Sequence, residues 1–178
     1  MTVLLSGGAK NGKSYHAQRI SKKLSRGAPL YYIATMIPHD SEDDARIARH
    51  LREREGWGFE TLEQPTELCR CLDSADPRGT FLLDSVTALL SNEMFTESGD
   101  VDLSAPERVA RDLTEFARRA ANAVFVSDFI YSDAAFYDEL TEAYRRGLAL
   151  CDAALARCCD AVIEVSGGIM TAHKGALL

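Results

Sequence analysis

Apolar residues in this chain fall into short unbroken runs, separated by longer stretches in which they recur every third or fourth position. The runs are Val3-Leu4-Leu5, Leu30-Tyr31-Tyr32-Ile33-Ala34-Thr35, Thr80-Phe81-Leu82-Leu83-Asp84, Ala123-Val124-Phe125-Val126-Ser127-Asp128 and Ala161-Val162-Ile163-Glu164-Val165-Ser166. Continuous apolar runs of this length predict strands buried on both faces, as in parallel sheets. The short stretch near Phe59 and the tail after Gly167-Gly168 are candidate edge strands.

Between the runs the spacing turns helical. Ala17, Ile20 and Leu24 form a stripe over residues 15–25, and Val109, Leu113, Phe116 and Ala120 another over 105–121. Leu140, Tyr144, Leu148, Cys151 and Leu155 make the inner stripe of a long helical region predicted from Tyr131 through Arg157, with Tyr144 read as core. Shorter helices are expected from Gln64-Pro65 to about Leu72 and from Val86 to Phe95. Ser41-Glu42-Asp43-Asp44 is a serine-led acidic helix start, opening a helix over 44–54. Alternating strands and helices predict an α/β fold with a mostly parallel sheet flanked by helices. At 178 residues one domain spanning 1–178 is expected.

The first run leads into Ser6-Gly7-Gly8-Ala9-Lys10-Asn11-Gly12-Lys13-Ser14. This matches G-x-x-x-x-G-K-[ST] between a strand and a helix, the context a phosphate-binding loop requires. Glycines let the backbone close on phosphate, Lys13 is expected to reach the β- and γ-phosphates, and Ser14 to offer its hydroxyl to Mg²⁺. The fold class is thereby a P-loop NTPase-like, RecA-like α/β sheet. Asp84 closes an apolar run in the manner of a Walker B strand, expected beside the loop strand, with its carboxylate holding Mg²⁺ directly or through water. The run ending at Ala34-Thr35-Met36 should emerge at the same sheet edge.

On the predicted helix 44–54, Arg46, His50 and Arg54 share one row at i, i+4 and i+8, seated by Ile47 and Leu51. An imidazole between two guanidiniums is disfavoured as the cation, and neutral imidazole is the nucleophilic form. The arginines could also orient phosphate oxygens. The same residues equally describe a solvated basic helix face paired with nearby carboxylates.

A formal net charge of −7 argues against nucleic acid as the main partner, so any anion binding is local. No apolar run approaches the ~20 residues of a membrane helix, and no leader precedes the first strand, so a cytoplasmic protein is expected. Cys69, Cys71, Cys151, Cys158 and Cys159 lack metal-site spacing and are read as reduced thiols.

The loop, Tyr32-Ile33-Ala34-Thr35, Arg46-Ile47-Ala48-Arg49-His50, Thr61-Leu62-Glu63 before Pro65, and Leu82-Leu83-Asp84-Ser85 with Leu90-Ser91-Asn92 resemble, in order and spacing, the bifunctional adenosylcobinamide kinase/adenosylcobinamide-phosphate guanylyltransferase family. The resemblance implies that ATP or GTP phosphorylates adenosylcobinamide, and that GTP then guanylylates His50, which passes GMP to adenosylcobinamide phosphate. It carries nucleotide contacts onto Gly7, Gly8, Ala9, Lys10, Asn11, Gly12, Lys13 and Ser14, onto Ala34, Thr35 and Met36, onto Leu51, Arg52, Glu53 and Arg54, and onto Glu63 and Asp84. It also implies Mg²⁺ and a homo-oligomer, typically a trimer. Lys10-Asn11 stands where Arg-Ser is usual, and Ser127-Asp128-Phe129-Ile130-Tyr131-Ser132-Asp133 where an Asn-Glu-Val-Gly segment and a Pro-x-Asn are usual. Asp128 and Asp133 are the carboxylates available to replace that glutamate. Competing readings are a guanylyltransferase alone, a P-loop kinase of another small molecule, and a nucleotide-dependent switch or assembly protein.

Overall fold

A computed structural model describes residues 1–37, 52, 54–96 and 99–177. Its strands are β1 (Thr2–Gly7), β2 (Leu30–Ala34), β3 (Glu60–Glu63), β4 (Thr80–Asp84), β5 (Asn122–Asp128), β6 (Ala161–Ser166) and β7 (Ile169–Lys174). They form one sheet in the order β3-β2-β4-β5-β1-β6-β7. Every neighbouring pair is parallel except β6 and β7. The five apolar runs are the five inner strands, and the two candidate edges are the edges. β1, β2, β4 and β5 are buried almost throughout, whereas β3 and β7 are largely exposed. An inner parallel strand has a layer on each face, so both sides of it must be apolar.

Helix α1 (Lys13–Ser25) covers one face, where Ala17 and Ile20 pack with Val3, Leu5, Tyr32, Leu82, Val124 and Val126. The 3-10 turn Leu68–Arg70 leads into the short α2 (Cys71–Ser74). These, with α3 (Val86–Met94), α4 (Ala105–Arg119) and α5 (Glu139–Cys158), cover the other face. Phe116 of α4 meets Phe81 and Phe125 edge-on, with ring centroids 5.3 and 6.3 Å apart. Pro106 sits in the first turn of α4, where its missing N–H costs nothing. The Asp138 carboxylate caps α5 by accepting from the N–H groups of Leu140 and Thr141.

Three expectations need correction. The strand ending in Asp84 is not beside the loop strand, because β5 lies between β4 and β1. The last long helix does not open at Tyr131: it starts at Glu139. Asp133 accepts from the Ala135 N–H and the Tyr137 hydroxyl, so side chains there compete with helical hydrogen bonding and residues 131–138 stay irregular. Leu140, placed on the inner stripe, is consequently 40% exposed in the first helical turn. The helix expected over 64–72 is only the 3-10 turn and α2, since Glu67, at φ 50°, is in the left-handed region and cannot continue a right-handed helix. The opening of the predicted helix 44–54, with Arg46, His50, Leu51 and Glu53, lies outside the described residues, while Arg52 and Arg54 are helical.

Candidate active site

β1 delivers the chain to the carboxyl edge of the sheet at Gly7, and α1 begins at Lys13. Two glycines make the intervening turn possible. A Cβ on Gly7 would lie 2.2 Å from the Val165 carbonyl oxygen, and Gly12, at φ 92°, caps the helix in the left-handed region. The amide of Asn11 donates to the same Val165 carbonyl, tying the loop to the end of β6. Gly8, Ala9 and Lys10 lie at the exposed crest of the loop.

Lys13 is 5% exposed and its ammonium is held on three sides. It donates to the Gly8 carbonyl at 2.7 Å, approaches Asn11 Oδ1 at 3.5 Å, and pairs with an Asp128 carboxylate oxygen at 2.9 Å. Asp128 is the last residue of β5 and stands in register with Gly7. Its own N–H donates to Thr87 Oγ1 at 3.0 Å, and the next N–H, of Phe129, donates to the Gly7 carbonyl at 2.9 Å. The lysine of the loop is therefore stored against a carboxylate of the neighbouring strand. Ser14, in the first turn of α1, is half-buried at the same edge.

Asp84 lies in register with Ala34 on one side and Val126 on the other. It joins Tyr32 and Arg54 in a second cluster on the α1 face. The Arg54 guanidinium lies 3.5 Å from the Tyr32 ring centroid and is buried. Burial, and then the charge of Asp84, push the Tyr32 hydroxyl far above its ordinary pKa, so it is a permanent hydrogen-bond donor there. Arg52 and Arg54 also line an open groove of about 580 Å³ with Gly56, Phe59 and Thr61.

Thr35 is fully buried, with its hydroxyl bonded to the Ser85 backbone and its carbonyl accepting from Asn92 at 2.6 Å. Ala34 and Met36 flank it, half-buried, and Glu63 is exposed at the end of β3 beside Ala34. The structure thus gathers the loop, Lys13 and Ser14 at one edge with Ala34, Thr35 and Asp84. Asp128 as the partner of Lys13 is what sequence reasoning did not assign, although its apolar run ends in a carboxylate just as that of Asp84 does.

Beneath the loop, on the opposite face of the sheet, lies a buried polar group that sequence reasoning missed altogether. Ser6 and Ser127 stand in register on β1 and β5, and Asp152 of α5 faces them. Asp152 Oδ2 accepts from the Tyr131 hydroxyl at 2.9 Å. Its Oδ1, with the Ser6 and Ser127 hydroxyl oxygens, is buried without a formed hydrogen bond among the described residues. Burial pushes the Asp152 carboxyl up to about 6, against the opposing pull of the Ser127 and Tyr131 hydroxyls. The five cysteines are free, and burial pushes the thiols of Cys71, Cys151 and Cys159 up to about 12, which leaves them unreactive.

Among the described residues no three His, Cys, Asp or Glu side chains cluster as a metal cage, and no helix is long and apolar enough to cross a membrane. The hard oxygens of Ser14 and Asp84 suit Mg²⁺, which is commonly held by one or two protein oxygens with substrate phosphates and water.

Comparison with solved structures supports a P-loop NTPase fold. An ATPase domain of known structure superposes with a TM-score of 0.52 at 12% identity, over 92% of this chain and 68% of that one. A protein of Pyrococcus horikoshii OT3 gives 0.53 at 8% identity, over 99% and 87%. In sequence, the chain is 35% identical over 104 residues to the bifunctional adenosylcobalamin biosynthesis protein CobU of Escherichia coli, covering 57% of this chain and 55% of that protein. It is 40% identical over 93 residues to the bifunctional adenosylcobalamin biosynthesis protein CobP of Pseudomonas aeruginosa, covering 52% of each. The matching region spans about half the length of these relatives. The model of one family, described as cobinamide kinase / cobinamide phosphate guanyltransferase, matches residues 3–172. With its phosphate loop at the carboxyl edge of a parallel sheet, the chain belongs to the cobinamide kinase / cobinamide phosphate guanyltransferase family.

Proposed function

We propose that this protein is a transferase of cobalamin biosynthesis that acts twice on one acceptor, phosphorylating adenosylcobinamide and then transferring GMP from GTP to adenosylcobinamide phosphate. The observation that carries the reading is the family match across residues 3–172 on a chain whose phosphate loop is fully built, with Lys13 at its base. In the first reaction the acceptor hydroxyl attacks the γ-phosphorus of ATP or GTP, the bond to the β-phosphate oxygen breaks, and the hydroxyl proton leaves. In the second, a neutral His50 nitrogen attacks the α-phosphorus of GTP and pyrophosphate departs. A phosphate oxygen of adenosylcobinamide phosphate then displaces the imidazole, giving adenosylcobinamide-GDP.

In this reading Lys13 exchanges Asp128 for the β- and γ-phosphates, and the N–H groups of residues 8–14 turn toward the same oxygens. Arg46 and Arg54 orient the α-phosphate. Mg²⁺, held by Ser14 and Asp84, would offset the charge of the departing pyrophosphate. The remaining nucleotide contacts are assigned to Ala34, Thr35, Met36, Leu51, Arg52, Glu53 and Glu63. The enzyme works as one domain, in the cytoplasm, as a homo-oligomer.

The test is incubation with GTP radiolabelled at its α-phosphorus, with Mg²⁺. The wild type is expected to take up an acid-labile, base-stable label, and His50→Ala none. An unlabelled wild type would refute guanylyl transfer, and a wild type that passes γ-phosphate only to a non-corrinoid acceptor would leave an ordinary small-molecule kinase.

A further inference from the structure

Past Asp128 the chain runs as an irregular strap to the start of α5, and it is anchored at several points. The buried Arg145 side chain is spent on this strap and the first turn of α5. It donates to the Ile130 carbonyl and to Asp133, each at 2.9 Å, and to Glu142, and its guanidinium carbon lies 4.5 Å from the Tyr137 ring centroid. The Tyr137 hydroxyl donates to Asp133 at 2.8 Å, and the Tyr131 hydroxyl to Asp152 at 2.9 Å. Fixing a loop costs about 1–2 kcal/mol of backbone entropy per residue, so a strap with this many anchors holds something in place.

It holds aromatic rings outward. Phe129 is 47% exposed, Tyr137 43%, and Phe136 103%, so nothing among the described residues covers that ring. Phe129 is also braced edge-on against Tyr131, with centroids 4.7 Å apart. Solvent-facing rings on an anchored backbone mark a surface made to be covered.

The position says by what. Phe129 directly follows the carboxylate that holds Lys13, and its N–H is bonded to Gly7. A hydroxyl that attacks the phosphate gripped by Lys13 must approach this edge. In cobinamide that hydroxyl sits on a short arm beside a broad, flat macrocycle, so the macrocycle must rest within an arm's length of the loop. We propose that Phe129, Phe136 and Tyr137 are the platform on which the corrin macrocycle of the acceptor lies, with Arg145 the residue that positions it. The inference rests on the transfer reaction proposed above and deepens it by placing its acceptor.

The experiment is equilibrium dialysis of cobinamide against wild type, Phe136→Ser and the double variant Phe129→Ser/Phe136→Ser, with thermal midpoints recorded to show that each is folded. Losing the burial of one ring is expected to raise the cobinamide Kd about 10- to 100-fold. Should the double variant fail to fold, Phe136→Ser, whose ring is fully exposed among the described residues, decides alone. Unchanged affinity, or a wild type that binds no cobinamide, overturns the platform. So does a loss of oligomer mass in sedimentation velocity with cobinamide affinity intact, because the rings would then join copies of this chain. A wild type that binds cobinamide through these rings yet transfers no phosphate sinks the kinase reading and keeps the platform. Transfer that survives in variants of unaltered affinity does the reverse.

Discussion

Asp152→Asn is expected to stabilise the protein, and to do so more as the pH rises. The carboxyl is 5% exposed and accepts from the Tyr131 hydroxyl, and burial moves its pKa from 3.8 to about 6. Asp128, on the neighbouring strand, adds negative charge in the same direction, and Cys151 beside it stays a neutral thiol. The folded state therefore binds this proton more tightly than the unfolded chain. Stability from that proton is fully present below about pH 3.9 and is lost as pH rises to about 6. Over the whole interval the loss is about 3 kcal/mol. Asparagine does not titrate, still accepts from Tyr131, and can donate its amide N–H toward Ser127 Oγ, which lacks a formed bond.

Urea unfolding of wild type and variant at two pH values checks this. The variant is expected to lead by about 1 kcal/mol near pH 4.5 and by about 3 kcal/mol near pH 8. The larger lead corresponds to about 6–12 °C in Tm for a chain of this size. Titrations elsewhere in the molecule cancel in the comparison. A lead that does not change with pH would refute the buried, proton-holding carboxyl. A variant less stable than wild type near pH 8 would show that the carboxylate form is instead satisfied in the folded state.

Asp128→Asn leaves the ammonium of Lys13 buried with only neutral partners, so the free protein should lose about 1–3 kcal/mol. Saturating GTP should close most of that gap by supplying phosphate to the lysine, and a Tm difference indifferent to GTP would refute the exchange. Gly7→Ala brings a methyl to 2.2 Å from the Val165 carbonyl oxygen, and should cost more than about 2 kcal/mol together with nucleotide binding. Gly147→Ala puts a methyl 2.7 Å from Pro106 where α5 crosses α4. It should cost about 1–3 kcal/mol in urea unfolding, with GTP affinity preserved.

Strands β1, β2, β4 and β5 were legible because a strand covered on both faces is built mainly of apolar side chains, as in Phe81-Leu82-Leu83 or Val124-Phe125-Val126. The phosphate loop was legible because its function constrains consecutive residues. Strand order was not. Two apolar runs end in aspartate, and the sequence treats Asp84 and Asp128 alike; which one lies beside β1 is a matter of pairing between strands far apart in the chain, β5 with β1 and β4 with β2 and β5. The start of α5 escaped for a local reason. Asp133 and Asp138 are both plausible caps, and the choice falls to Asp138 because Arg145 and Tyr137 claim Asp133. The buried group under the loop escaped because its members, Ser6, Ser127, Tyr131 and Asp152, come from two strands, a strap and a helix far apart in the chain.

The two aspartates that look alike in sequence have divided one task between them. Asp128 lies against the loop and pairs with Lys13, so the cation proposed to grip the nucleotide sits in a low-dielectric place without a bare charge. Asp84, one strand further out, is level with Ala34; its charge acts on the Tyr32 hydroxyl, and the Tyr32 ring carries Arg54. His50 is four residues before Arg54 in sequence, and Arg54 is seated, buried, on the Tyr32 ring. A change at Tyr32 should therefore act on the proposed histidine chemistry without touching the loop. Tyr32→Phe removes only the hydroxyl shared with Asp84 and Arg54 and keeps the ring under the guanidinium. It is expected to slow α-phosphate labelling several-fold while leaving GTP affinity near that of wild type. Equal losses in both would mean that Tyr32 serves the nucleotide pocket as a whole rather than the seat of the histidine segment.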